Sequence, residues 1–215
     1  MVRKAEHERR AELIAATIRE IAAVGSLDVT TSQIAKSAGV SSGLAFHYFK
    51  DKDSLFLAAM RDIIMRYGME VREGLRKAKG PEERLKAVIH ASFERRNFRH
   101  ETIAAWLNFY TLALRSAEAR RLLHVYQQRL HSNLVHDLHT LVGDRAPDVA
   151  RRIAGLIDGL YLRYALDLTD DISHEASEHV LHALAAECSR SSGNPETIIS
   201  GGRACPMNAI AKSQE

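Results

Sequence analysis

Residues 30–55 read TTSQIAKSAGVSSGLAFHYFKDKDSL, two short phrases of helical periodicity hinged on Gly39. Thr30, with Gln33 three residues on, has the form of a capping box, although Thr31 offers a second cap. A helix then runs from Ser32 to about Ser37 and turns Ile34, Ala35 and Ala38 inward. Gly39 ends it, Val40 plugs the turn, and Ser41 or Ser42 caps another short helix through Tyr48. Small and hydroxylated residues open this second helix, as a helix entering a duplex requires. A major groove about 12 Å wide admits one helix, and small residues at its start let the backbone approach base edges. Ser42-Gly43-Leu44 meets that demand. Thr31 and Ser41 offer hydroxyls and helix-terminal amides to phosphate, and Tyr48 and Lys52 follow where a flanking phosphate would lie.

Upstream, Leu13, Ile14, Ile18, Ile21 and Ala22 recur at helical spacing over residues 4–24, and Gly25 stops that helix. Downstream, Asp51 starts a long helix from Lys52 to about Lys79, with Leu55, Leu57, Ala58, Ile63, Ile64 and Met65 as apolar positions. Gly80-Pro81 breaks the chain, and Pro81 suits the first turn of a helix reaching about Asn97. Further helices are expected from Glu101 to Arg115, over about 118–142 up to Gly143, and over about 148–168 after Pro147. A last one runs from a Ser173 cap to about Arg190. Residues 191–215 are rich in Gly, Ser and Pro and read as a flexible tail. The expected fold is all-α, with about nine helices. Residues 1–51 form a three-helix, helix-turn-helix DNA-binding module, and residues 52–190 a longer helical body.

Of the 215 residues, 46% are hydrophobic and 27% charged, an ordinary globular balance. No apolar run approaches the roughly 18 residues that span a bilayer, and the N-terminal MVRKAEHERRAEL has no apolar signal core. A membrane is therefore not expected as a partner, and the cytoplasm is the expected compartment. Cys188 and Cys205 are too few and too close to the C-terminus to staple the fold. The net charge is +3, but residues 1–60 hold eight Lys/Arg against seven Asp/Glu. Attraction to phosphate must therefore come from the placement of Arg3, Lys4, Arg9, Arg10, Lys50 and Lys52. His136-x-x-His139 and His179-x-x-His182 pair histidines one turn apart, but a metal site needs further ligands, so both read as solvated surface. No phosphate loop, strained serine turn or Cys-x-x-Cys occurs. Neither an enzyme activity nor a metal nor a cofactor is expected.

The chain resembles the TetR-type regulators. Thr30-Thr31-x-x-Ile34-Ala35-x-x-Ala38-Gly39-Val40-Ser41-x-Gly43 carries the likeness, with His47-Tyr48-Phe49-Lys50-Asp51-Lys52-x-x-Leu55. The resemblance implies that Thr31 and Ser32 touch phosphate or base edges and that Ser42, Gly43 and Leu44 read bases. Phe46 and His47 would face the groove wall, while Tyr48 and Lys52 would hold phosphate. Phe46 stands where many members have tyrosine, so a hydroxyl contact is missing there. It further implies a homodimer through residues of about 148–190, which would present two recognition helices to near-palindromic operator DNA. Val149, Ile153, Leu156, Ile157 and Leu160, with Val180, Leu181 and Leu184, supply apolar positions, and Gly155 and Gly159 leave a flat strip.

In the body, Trp106, Phe109 and Tyr110 share one helical face, and Asp158 precedes Tyr161 by one turn. A quaternary ammonium donates no hydrogen bond and is best held by aromatic faces and a carboxylate, at ~0.5–2 kcal/mol per cation–π contact. Core packing produces the same stripes, and Asp158 could instead pair with Arg163, so spacing alone leaves both readings open. Met60-Arg61-Asp62-Ile63, Ala105-Trp106-Leu107-x-Phe109 and Leu156–Arg163 are also similar to a choline-responsive branch of the family, which represses choline-to-glycine-betaine genes. That likeness implies a small cationic effector, choline; the helical spacing then suggests Trp106, Phe109, Tyr110 and Tyr161 as cage and Asp158 as counter-charge. The competing expectations are a repressor of a multidrug pump or another catabolic operon, and a helical adaptor that binds no DNA.

Overall fold

The computed structural model describes residues 6–97, 99–164 and 172–190. Arg3, Lys4, Cys205, the expected tail at 191–215 and the expected end of the eighth helix at 168 lie outside them. The described residues form nine α-helices and one 3-10 turn, with no strand among them.

The N-terminal module comprises α1 (Glu6–Val24), α2 (Thr31–Ser37) and α3 (Ser42–Tyr48). α1 buries Leu13, Ala16, Ile18 and Ile21, the arc that its periodicity marked. Thr30, not Thr31, caps α2. Its hydroxyl accepts from the Gln33 amide at 3.2 Å, and Gln33 Oε1 accepts from the Thr30 amide at 2.7 Å. The turn after α2 depends on Gly39, whose φ of 68° lies in the left-handed region. The amides of Gly39 and Val40 then reach back to the carbonyls of Lys36 and Ala35 at 3.1 and 2.9 Å, a Schellman closure. Ser41 caps α3 by accepting from the Leu44 amide at 3.3 Å.

α4 (Lys52–Lys77) leaves the module and runs through the body. Asp51 caps it through the Ser54 amide at 2.7 Å. Its buried face carries Leu55, Phe56, Ile63, Ile64, Tyr67 and Val71, whereas Met65 is 56% exposed on the opposite side. α5 (Gly80–Ser92), α6 (His100–Arg115) and α7 (Ala117–Val142) follow. α5 stops short of the expected Asn97 because the Asn97 side chain donates to the Ala91 carbonyl at 2.9 Å. That bond competes with helix continuation, and the Asn97 amide closes a turn onto Glu94.

α8 (Ala146–Tyr164) and α9 (Ile172–Ser189) complete the bundle. Ser173, expected as the cap of α9, falls just inside it. Val149, Ile153, Ile157, Val180 and Leu184 are buried in the chain's own core. Leu156, Leu160 and Leu181 are half-buried, and Gly155 and Gly159 face open space. A flat outer strip remains on α8, but its apolar content is smaller than the sequence suggested.

Candidate functional site

Two regions bring candidate residues together. The first is the outer face of α3. Ser32, Ser41, Gly43, Phe46 and His47 are exposed, and Thr31, Ser42, Leu44, Tyr48 and Lys52 are half-buried. Ala45 turns inward at 0% exposure and Phe49 is 5% exposed, so α3 is anchored on one side only. Phe46 is 54% exposed, a large apolar ring standing in water. Ser42 and Ser32 hydroxyls lie 3.3 Å apart and join the starts of α3 and α2. Ser41 spends an acceptor on its cap but keeps its hydroxyl proton to donate. The Lys52 ammonium donates to the Leu27 carbonyl at 2.9 Å and lies over the Phe56 ring. The Arg10 guanidinium stacks 4.6 Å from the centre of the Phe49 ring.

The second region is a cavity of about 470 Å³ in the body. Four expected residues meet there: Trp106 and Tyr110 from α6, and Asp158 and Tyr161 from α8. Phe109 does not line it; at 1% exposure it packs edge-on to Trp106 with centroids 6.1 Å apart. Helical rotation explains the correction. Tyr110 sits about 40° from Trp106 around the α6 axis, while Phe109 sits about 60° away on the other side, toward the core. Sequence reasoning missed Tyr67 on α4 and Tyr126 on α7, whose rings are 5.7 Å apart. Tyr126 in turn lies 4.8 Å from Trp106. Neither Tyr67 nor Tyr126 shares a helix with Trp106 or Asp158, so no spacing within one helix pointed to them; four of the chain's six tyrosines and its single tryptophan line this one space.

The cavity's polar groups are few. Tyr67 shares a hydrogen bond with Ser92 at 3.3 Å, and the Tyr161 hydroxyl donates to the Asn97 carbonyl at 2.6 Å. Asp158 forms no hydrogen bond or ion pair with the described residues, Arg163 included. Burial pushes its carboxyl up to about 6. Burial also raises the hydroxyl of Tyr67 to about 12, with the charge of Asp158 adding to the effect. The Tyr110 hydroxyl is raised by the same two causes, and that of Tyr126 by burial first, then by the neighbouring Tyr67 and Asp158. Among the described residues, no lysine, arginine or histidine lines the space. The arrangement suits a small cation with an apolar shell.

His136, His139, His179 and His182 are exposed, and no group of three or more metal-ligating side chains occurs among the described residues. No helix of the described residues is long and apolar enough to cross a membrane.

Comparison with known proteins gives the family. Residues 13–59 match the family model described as bacterial regulatory proteins, tetR family. Residues 81–189 match the model described as BetI-type transcriptional repressor, C-terminal. The HTH-type transcriptional regulator BetI of Brucella anthropi is 49% identical over 159 residues, covering 74% of this chain and 82% of that protein. The regulator of the same name from Agrobacterium fabrum is 46% identical, covering 74% and 77%. Among solved structures, a putative transcriptional regulator from Pseudomonas aeruginosa PAO1 superposes with a TM-score of 0.76 at 23% identity, covering 86% of this chain and 93% of that one. A putative transcriptional regulator from Saccharomonospora viridis, solved in complex with choline, gives 0.72 at 21% identity, covering 84% and 97%.

Proposed function

Since this chain belongs to the TetR family of bacterial regulatory proteins and carries the BetI-type repressor domain, we propose that it represses choline-to-glycine-betaine genes and that choline is its effector. It is a DNA-binding transcriptional repressor and not an enzyme. Regulators of this family bind operator DNA, dimerise and answer to a small-molecule effector.

One observation carries the effector reading: an ion-pair-free carboxylate, Asp158, beside Trp106, Tyr67, Tyr110, Tyr126 and Tyr161. A trimethylammonium group offers no hydrogen-bond donor, so it asks for ring faces and one buried counter-charge. Choline's hydroxyl needs a single polar partner, and Ser92 and Asn97 are on the wall. The relatives' name and the choline held by the Saccharomonospora neighbour point the same way.

At the other end, Ser42, Gly43 and Leu44 read bases, Thr31, Ser32 and Ser41 set the phosphate register, and Tyr48 and Lys52 hold the flank. Phe46 and His47 meet the groove wall. The boundary falls where α4 begins, with residues 1–51 as DNA module and 52–190 as effector and dimer body. Pairing through α8 and α9, over the strip at Gly155 and Gly159, sets two copies of α3 on a near-palindromic operator.

Titration calorimetry with choline is the test, run beside operator binding by fluorescence anisotropy. Expected are binding at one site per chain and a changed operator affinity. No heat, together with unchanged operator affinity, overturns the effector assignment. The volume of about 470 Å³ also lies in the range of pockets for drug-sized ligands, which favours a promiscuous multidrug reading. Bulky lipophilic cations binding as tightly as choline would select that reading instead.

A further inference from the structure

Between the cavity and α4 stands one residue that touches both. Asn97 is 8% exposed, in the turn between α5 and α6, and lines the cavity. Its carbonyl accepts the Tyr161 hydroxyl of α8 at 2.6 Å. Its side-chain amide faces the other way, donating to the Ala91 carbonyl at 2.9 Å and to the Glu70 carboxylate of α4. Tyr67, one turn before Glu70 on α4, is itself a cavity wall and bonds to Ser92. α4 is the helix that begins at the DNA module, where Lys52 is tied to the Leu27 carbonyl between α1 and α2. A continuous run of hydrogen bonds therefore leads from the cavity's α8 wall, through Asn97, to the side of α4.

We propose that Asn97 is a positioning residue for the effector response: it transmits occupancy of the cavity to α4 through Glu70. The proposal rests on the cavity being the effector site and adds how its state reaches the DNA-binding end. A ligand seated against Tyr161 shifts that ring. The shift changes the hydrogen bond to the Asn97 carbonyl, and the amide on the far side of the same residue moves with it. Because Asn97 is buried, its two donors have no solvent to turn to, and losing Glu70 leaves a donor unsatisfied. Glu70 follows, or its bond breaks. Either outcome distinguishes two arrangements of α4, which is what coupling between two sites requires. The role asks for an acceptor at position 70 but not for a charge. Burial and the nearby Glu94 in fact work against ionisation of Glu70, while the Asn97 bond favours it.

The test separates binding from response in the full chain. Glu70→Ala removes the acceptor, and Glu70→Gln keeps one. For each, choline affinity is measured by calorimetry, and operator affinity by anisotropy with and without saturating choline. The ratio of the two operator affinities measures the coupling, for which about 5- to 150-fold is usual. Glu70→Ala is expected to bind choline within about twofold of the parent while its ratio falls toward one, and Glu70→Gln to keep the parental ratio within about twofold. A parental ratio in Glu70→Ala overturns the proposal, as does an equal loss in Glu70→Gln. If choline gives no response in the parent, the choline assignment fails and the relay is read from operator affinity alone. Tyr161→Phe and Glu70→Ala should then be non-additive, and additivity within about twofold overturns the relay as well.

Discussion

The outer face of α3 is left bare, whereas the cavity lined by α4 to α8 sinks into the body, and the ligand proposed for each calls for that difference. A groove-reading helix must keep its polar and apolar groups unspent, and Phe46 at 54% exposure has no role in the fold to explain it. The proposed cation site asks for a buried counter-charge, and Asp158 stands there without an ion pair to the described residues, at a cost to the fold. The DNA face is thus bounded by what packs behind it, Ala45 and Phe49. The cavity is bounded by what five helices bring in front of it.

Replacing Asp158 tests this contrast with the largest expected effect. Asp158→Asn should weaken choline binding by at least about thirtyfold, the lower end of the ~2–5 kcal/mol lost when a buried charge loses its partner, with operator affinity of the free protein unchanged. Stability should move the opposite way. Burial holds the carboxyl at about 6 against an ordinary value of 3.8. The folded state therefore disfavours the charged form, and the penalty is full above about pH 6 and fades as the pH falls from about 6 toward 4. A neutral amide in place of the acid escapes it, so the ligand-free protein should gain stability at pH 7, on the order of 2–3 kcal/mol, read as a raised melting temperature. Choline affinity of the parent should fall about tenfold per unit below pH 6, since the cation needs the ionised acid. A variant that loses choline and stability together would make Asp158 an ordinary structural residue.

The same contrast decides what was legible in the sequence. α2, Gly39 and α3 are contiguous, and their caps, turn and inward residues follow from local chemistry. The structure resolved only which of two adjacent residues does the capping, Thr30 and Ser41. The cavity is a tertiary object. Trp106 with Tyr110, and Asp158 with Tyr161, could be paired because each pair shares a helix. Tyr67 and Tyr126 could not, since nothing in one helix states which helix faces it. Phe109 was misplaced because a shared stripe is broader than a shared wall. The α8 and α9 apolar positions show the same limit, with Val149, Ile153 and Ile157 serving the chain's own core.

A change on the bare face should leave the cavity untouched. Leu44 is half-buried and does not belong to the core cluster, so Leu44→Ala tests base reading with little loss of packing. It should cost about 1–3 kcal/mol on the preferred operator if a base contact is lost, and less on a scrambled duplex. Choline affinity and melting temperature should stay at parental values. An equal loss on both duplexes would show that Leu44 contributes no sequence information.

The smallest effect belongs to Lys52, which sits where the two regions meet. Its ammonium has three donors and one is given to the Leu27 carbonyl, so two remain for a phosphate. Lys52→Gln can keep the bond to Leu27 through its amide while removing the charge. Binding should then weaken alike on every sequence, and the slope of log affinity against log salt should shrink by about 0.9, the share of one phosphate contact. An unchanged slope with a lowered melting temperature would mean that the ammonium only ties the α1–α2 connection to α4. In that case the bare face ends at Tyr48, and α4 serves the DNA module solely as its mount.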